Sequence, residues 1–203
     1  MPISREDHQR IADAIHAAEA NTSGEIVCVL ARSSGDYDAI PVVWAALIAL
    51  ALPWALVAFT QWAVLHILLA QILLFAALFL LFSIPAIGIK FVPRALQRAQ
   101  AHRAALEQFM VRGVSRTRDQ TGVLIFVSLT ERYARVIADD GIAAKIPQAQ
   151  WQAIVDALVA QCRTGDTADG FVAAVAACGA LLQAHFPARP DDKNELPDRL
   201  YVI

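Results

Sequence analysis

The chain has 203 residues, of which 57% are hydrophobic, and a formal net charge of −2 at pH 7. This balance excludes a strongly basic nucleic-acid-binding protein, which needs an excess of Lys and Arg to neutralise phosphates. Three cysteines without a CxxC pair argue against a disulfide framework. The hydrophobic content exceeds the ~45–50% of soluble domains, and it is concentrated in residues 39–89, which contain no Asp, Glu, Lys or Arg.

The N-terminal segment predicts a helix followed by a buried strand. Ser4 is a candidate N-cap with Asp7 three residues later, which is the spacing of a capping box. Gly24 ends this unit, and Glu25–Ala31 (EIVCVLA) is apolar enough for a strand buried on both faces. The charged N-terminus lacks an apolar h-region, so we expect no signal peptide.

Residues 39–89 predict a transmembrane helical hairpin. About 20 helical residues cross a ~30 Å hydrocarbon core, so this length suits two spans, which we place at Pro41–Phe59 and Val64–Ile89. Trp44 and Trp62 are spaced to lie near opposite membrane interfaces. The alternative is a buried hairpin in the core of a soluble protein.

The charges that flank this hairpin predict its orientation. The turn between the spans is uncharged, whereas Arg32 precedes the first span, and Lys90, Arg94, Arg98 and Arg103 follow the second. We expect Lys90, Arg94 and Arg98 at the membrane interface. By the positive-inside rule, we expect a multi-pass protein of the cell (inner) membrane with both termini cytoplasmic. Pumps and channels usually carry intramembrane charged groups, so the uncharged hairpin argues against a transporter.

The segment after the hairpin predicts a helix, a β-hairpin and two more helices. The helix has Leu96, Leu106, Phe109 and Met110 on one side and basic residues on the other, which either contact anionic headgroups or are solvated. "GVLIFVSLTERYARVIA" reads as two antiparallel strands, Val123–Leu129 and Tyr133–Ala138, with Gly165 ending the first of the closing helices.

These elements predict an α/β (α+β) sandwich in which a small mixed sheet is flanked by helices and interrupted by the two-helix transmembrane hairpin. Residues 1–38 and 90–186 would form the two parts of this domain, and residues 39–89 the hairpin. The Pro-rich, charged residues 187–203 are predicted to form a flexible tail.

Acidic residues lie at one predicted end of the sheet. Asp119 precedes one strand of the β-hairpin, and Asp139 and Asp140 follow the other. Because the strands are antiparallel, the three carboxylates would lie at the same end and could bind a hard cation, calcium or magnesium. The competing interpretation is ordinary turn chemistry.

Several arginines lie near the same β-hairpin. They are candidates for anion binding, with solvated surface charge as the alternative: Arg116, Arg118, Arg132 and Arg135.

Three segments, "TSGEIVCVLA", "TRDQTGVLIFVSLTERYARVIADDGI" and "RTGDTADGFVAAVAACGALLQ", resemble in order and spacing the core blocks of the TPM domain family. The resemblance covers residues 4–37 and 108–186. It implies an α/β/α sandwich tethered to a membrane, in a family with reported acid phosphatases, divalent-cation binders and accessory factors of membrane complexes. We therefore expect a non-enzymatic accessory or scaffolding module with a membrane-protein partner and no nucleic acid. The alternative is a metal-dependent phosphatase acting on phosphate monoesters.

Overall fold

The computed structural model describes residues 3–37, 39–189 and 193–203. These residues fall into two compact units, Met1–Ser34 with Arg98–Ile203, and Gly35–Gln97. Asp38, where the first predicted part of the domain ends, and residues 190–192 of the predicted tail lie outside the described residues.

The first unit contains a four-stranded mixed sheet in the order β3-β2-β1-β4. Its strands are β1 (Glu25–Ala31), β2 (Gly122–Ser128), β3 (Tyr133–Ala138) and β4 (Leu200–Val202). Strands β1, β2 and β4 are parallel, and β3 is antiparallel to β2. β1 and β2 are buried along their whole length, as their uninterrupted apolar sequences predict for central strands.

Parallel strands need a long crossover connection. Residues 32–121 form the connection between β1 and β2, so the apolar hairpin is part of a crossover within one sheet. This connectivity is the one that a domain interrupted by a hairpin requires.

The helices of the first unit cover both faces of the sheet. α1 (Arg5–Glu19), α7 (Gln148–Thr164) and α8 (Thr167–His185) pack on one face, and α5 (Arg94–Val111) covers the other with Ala105 and Phe109. The four-residue helix α6 (Asp140–Ala143) follows β3. The predicted α/β sandwich is therefore confirmed.

Local signals in the sequence explain where these helices begin and end. The Ser4 hydroxyl accepts a hydrogen bond from the Asp7 N–H at 3.0 Å, and the Asp7 carboxylate accepts one from the Ser4 N–H at 3.0 Å. This reciprocal pair forms the predicted capping box. Gly165 ends α7 with a φ of 95°, a left-handed conformation that glycine adopts without steric cost.

The buried face of α5 differs from the predicted one. Ala101, Ala105 and Phe109 are buried, whereas Leu106 and Met110 are 44% and 60% exposed. Ala105 and Phe109 belong to the buried cluster on this face of the sheet, whereas the larger apolar residues Leu106 and Met110 face outward.

The C-terminal residues were predicted to be flexible, but the structure orders the last of them as β4. Leu200 is paired with Cys28, and the Ile203 N–H donates to the Leu30 carbonyl at 3.0 Å. The edge of β1 offers unpaired backbone groups, and the apolar end of the chain satisfies them.

The second unit is a helical hairpin of α2 (Ala39–Phe59) and α3 (Val64–Phe82), followed by α4 (Pro85–Gly88) and the 3₁₀ turn Ile89–Phe91. The second predicted span extended to Ile89, whereas α3 ends at Phe82. Small residues, Ala45 and Ala49, are buried between the helices, as in helix pairs packed within membranes. Most of the larger apolar residues of α2 and α3 are exposed, among them Trp54 at 81%.

Three helices, α2, α3 and α8, are long and apolar enough to cross a membrane. α8 differs from the other two because Phe171, Val175 and Leu182 are fully buried in the first unit. Its apolar residues are therefore accounted for by the protein core, whereas those of α2 and α3 have no protein to cover them in the described structure.

Candidate functional site: the acidic edge of the sheet

The loop before β2 and the turn after β3 lie side by side at one edge of the sheet, which we call the acidic edge (residues 119–121 and 139–141). The Asp139 N–H donates to the Gly122 carbonyl at 2.9 Å. A Cβ atom added to Gly141 would lie 2.7 Å from the Gln120 carbonyl oxygen and 2.9 Å from that of Asp119. The backbones approach so closely that only glycine fits at this position. The antiparallel strands therefore bring Asp119 and Asp139 to the same edge.

Asp139 is the buried member of this edge. It is 8% exposed, and its Oδ1 accepts a hydrogen bond from the Asp140 N–H at 2.9 Å as the N-cap of α6. Its Oδ2 is buried and has no hydrogen-bond partner among the described residues. Burial of a carboxylate oxygen without a hydrogen-bond donor costs free energy. This atom is therefore the best placed of the acidic edge to accept a hydrogen bond or to bind a cation.

The other two carboxylates of the edge are exposed. The Asp119 Oδ2 accepts a hydrogen bond from the Arg189 Nη1 at 2.8 Å and forms an ion pair with it. The side chain of Asp140 has no hydrogen bond or ion pair among the described residues. Arg189 therefore already neutralises one of the three groups predicted to bind a cation.

The positions of these three carboxylates decide whether the acidic edge can bind a metal ion. In the described part of the chain, no group of three or more His, Cys, Asp or Glu side chains is arranged to hold a metal ion. At the acidic edge Asp139 Oδ2 is buried without a partner among the described residues, and the carbonyl oxygens of residues 119 and 120 lie close to Gly141. Hard cations bind carboxylate and carbonyl oxygens, and Asp119 would have to leave Arg189 to take part in such a site.

The predicted anion-binding arginines lie on different elements of the structure. Arg116 ends the 3₁₀ turn Val114–Arg116 and is exposed. Arg118 is also exposed, and its backbone N–H donates to the Glu195 carboxylate at 3.1 Å. Arg135, on β3, donates from Nη1 to the His102 Nδ1 of α5 at 2.9 Å.

Two further carboxylates, Glu19 and Glu25, anchor the C-terminal segment beside the sheet. The two oxygens of Glu25 accept hydrogen bonds from the backbone N–H groups of Glu195 and Leu196, each at 3.1 Å. Glu19 Oε1 accepts one from the Ile26 N–H at 2.7 Å. The sequence indicated Glu25 as a residue at a sheet end, but it gave no sign that Glu19 is part of the same cluster.

Burial perturbs both of these groups. Burial, together with the nearby carboxylates of Glu25 and Asp198, raises the pKa of Glu19 from its usual 4.5 to about 9. Burial also raises the pKa of Glu25, against the lowering effect of its two backbone hydrogen bonds. Glu19 is therefore a neutral, protonated carboxyl group in the folded protein at neutral pH.

The predicted membrane-interface residues lie around the hairpin. Trp44, which is 45% exposed, lies near the start of α2, and Trp62, which is 55% exposed, lies in the turn between α2 and α3. Lys90 lies in the 3₁₀ turn, and Arg94 and Arg98 are exposed in the first turns of α5. Their role at a membrane surface stays a prediction.

Comparison with known proteins identifies the domain. Residues 88–181 match the model of the TPM domain. The comparison with curated proteins found no match. Among solved structures, the chain is similar to the NMR structure of the BA42 protein from the psychrophilic bacterium Bizionia argentinensis, with 21% identity and a TM-score of 0.64 over 100% of this chain and 97% of that one. At this identity the likeness concerns the fold.

The resemblance seen in the sequence is thereby confirmed for its second and third blocks. The first block, "TSGEIVCVLA", lies outside the match, but its strand β1 is paired with β2 over all seven residues. Residues 88–181 of this chain are therefore similar to the TPM domain, and the whole chain shares its fold with BA42.

Proposed function

We propose that the protein is a membrane-tethered TPM domain that acts as an accessory or scaffolding module of a membrane complex. The observation that carries the proposal is the hairpin α2–α3, whose apolar side chains are exposed and which contains no charged residue. A surface of this kind needs lipid or another transmembrane protein around it. Transport by the hairpin itself is disfavoured because it offers no charged group along a pathway.

The orientation follows from the basic residues that flank the hairpin. Both flanks emerge on the same side of the membrane, since two spans return the chain to its starting side. The positive-inside rule then puts the TPM domain and both termini in the cytoplasm, at the cell (inner) membrane.

The accessory role is tested by isolating the protein from its native membrane with a mild detergent. We expect it to co-purify with a membrane-protein partner in a defined ratio. A photo-crosslinking residue at Trp54, on the exposed face of α2, probes for that partner within the bilayer, and the same residue at Gln9 of α1 is the control. Isolation as a lone monomer, with no crosslink at Trp54, would contradict the proposal.

A divalent cation at the acidic edge is the second part of the proposal. It is supported by the unpartnered Asp139 Oδ2 and by the carbonyl groups packed against Gly141. Magnesium is the abundant candidate in the cytoplasm, and calcium is the candidate on the opposite side of the membrane. We expect millimolar cation to raise the melting temperature of the wild type and not that of Asp139→Asn. Asp156→Asn, an exposed change on α7, is the matched control and should respond like the wild type.

The alternative is a metal-dependent phosphatase that uses Asp119, Asp139 and Asp140. It requires hydrolysis of a phosphate monoester that is lost when Asp139 and Asp140 are both replaced by Asn. Absence of hydrolysis by the wild type with magnesium, calcium, manganese or zinc would eliminate this alternative and leave the accessory role unaffected.

A further inference from the structure

The α/β domain contains a cavity of about 450 Å³ at the end of the sheet opposite the acidic edge. It lies between the β2–β3 turn and the second half of α7. Its apolar walls are Val127, Leu129, Ala134 and Val159, and two arginines, Arg132 and Arg163, line it as well. Ligands of open α/β sheets bind outside the carboxyl ends of the parallel strands, and this cavity lies at the carboxyl end of β2.

The backbone holds Arg132 in an unusual conformation. Its φ is 51°, in the left-handed region that costs a residue with a side chain about 1 kcal/mol or more. Glycine is the usual residue at the left-handed position after such a turn. A residue with a side chain held in this conformation marks the position as a candidate for function.

The turn that carries Arg132 is tied down by its neighbour. Glu131 is only 3% exposed and accepts hydrogen bonds from the Ser128 hydroxyl and, at 2.9 Å, from the Ser34 N–H. The Arg132 N–H donates to the Leu129 carbonyl at 3.2 Å. These bonds fix the turn, so Arg132 lines the cavity from a rigid support.

Neither arginine of the cavity is neutralised within the described part of the chain. Arg132 and Arg163 form no ion pair and no side-chain hydrogen bond there. Two unpaired guanidinium groups beside apolar walls attract an anion, and each can bind a carboxylate or phosphate through two parallel hydrogen bonds.

We propose that this cavity binds a small organic anion, whose carboxylate or phosphate group is held by Arg132 and Arg163 and whose apolar body packs against Leu129 and Val159. The volume is within the range of small-molecule sites, which combine apolar walls with a few convergent polar groups. Inorganic phosphate lacks the apolar body, and a neutral or cationic ligand lacks the charge. The site is independent of the acidic edge and of the proposed accessory role.

A cysteine on the cavity wall reports on occupancy. Cys162 lines the cavity and is partly exposed, whereas Cys28 and Cys178 are fully buried. In the full chain, reconstituted in bilayer discs of zwitterionic lipid, N-ethylmaleimide should therefore modify Cys162 alone. The rate of this modification is followed by mass spectrometry.

Phenylphosphonate, which cannot be hydrolysed, is the probe. We expect it to slow the alkylation of Cys162 saturably and at least several-fold, while inorganic phosphate or benzyl alcohol at the same concentration changes the rate less than twofold. Equal protection by benzyl alcohol would overturn the proposal. Protection that requires anionic lipid in the disc, with no effect of phenylphosphonate, would also overturn it in favour of a lipid headgroup.

Variants assign the effect to the two arginines. Arg132→Gly suits the left-handed backbone, so it removes the guanidinium without threatening the fold. We expect this variant and Arg163→Gln each to weaken half-maximal protection by about tenfold, the value of one charge-assisted hydrogen bond. Arg5→Gln, an exposed change on α1, should leave it unchanged.

Burial raises the pKa of the Cys162 thiol, which slows its alkylation and makes changes in the rate harder to measure. Binding of phenylphosphonate is therefore also measured directly, by isothermal titration. Absence of saturable binding by titration, or equal binding by the Arg132→Gly variant, would refute the assignment.

Discussion

Replacement of Glu19 by glutamine should stabilise the α/β domain increasingly as the pH rises. In the folded protein the pKa of Glu19 is about 9, against its usual 4.5. The folded state therefore retains a proton that the unfolded chain releases above pH 4.5, and the stability falls with rising pH between these two values. Each pH unit in this window costs about 1.4 kcal/mol, which sets an upper limit of about 3 kcal/mol at pH 7.

Glutamine keeps the shape of the protonated carboxyl group and cannot ionise. Its Oε1 can accept the hydrogen bond from the Ile26 N–H that Glu19 Oε1 now accepts at 2.7 Å. We therefore expect Glu19→Gln to match the wild type at pH 4.5 and to exceed its free energy of unfolding by about 1–3 kcal/mol at pH 8. Some pH dependence will remain, because the pKa of Glu25 is also raised.

The assay is urea unfolding of the full chain in detergent, followed by the fluorescence of Trp151, which is 2% exposed in the folded domain. Glu107→Gln, an exposed change on α5, is the control and should alter the stability by less than about 0.5 kcal/mol at every pH. If Glu19→Gln gains no stability over the wild type between pH 5 and 8, the description of Glu19 as a buried neutral carboxyl group is wrong.

Three further changes test the packing of the domain. Gly141→Ala puts a Cβ 2.7 Å from the Gln120 carbonyl oxygen and should lower the urea midpoint by the equivalent of about 1–3 kcal/mol, with the acidic edge as the first region to lose amide protection. Gly179→Ala puts a Cβ 2.7 Å from the Ala18 Cβ and should force α8 away from α1, with a similar loss in the same unfolding experiment. Deletion of residues 200–203 removes β4, so amide exchange along β1 should be faster than in the full chain, while exchange along β3 should not change. Exchange along β1 that is as slow as in the full chain would show that β4 is dispensable.

The strands were predictable from the sequence because their signals are local. The bounds of β1, Glu25–Ala31, and of β3, Tyr133–Ala138, agree with the sequence prediction residue by residue. A polar or glycine residue before an apolar run marks the position at which a buried strand can begin. The capping box at Ser4 was predictable for the same reason.

The orientation of α5 could not be predicted, because periodicity gives most weight to large apolar residues. The sequence placed Leu106 and Met110 on the apolar side of the helix, but the buried residues are Ala101, Ala105 and Phe109. Which side of a helix is covered depends on residues far away in the sequence.

The acidic edge could be predicted only as a meeting point of chain segments. Antiparallel pairing brings Asp119 and Asp139 together, but the ion pair of Asp119 with Arg189 joins residues 70 positions apart. The cluster of Glu19, Glu25 and the C-terminal segment depends on contacts over more than 160 positions. Such long-range partners decide whether a carboxylate is free to bind a ligand, and no local pattern contains them.

The most direct test of the central claim is the membrane topology of the full chain. A reporter active in the cytoplasm and one active in the periplasm are fused separately to the C-terminus and inserted separately into the turn at residues 60–63. A hairpin that spans the membrane predicts cytoplasmic activity at the C-terminus and periplasmic activity in the turn. The same side for both positions would contradict the hairpin, and a periplasmic C-terminus with a cytoplasmic turn would reverse the orientation and make calcium the expected cation.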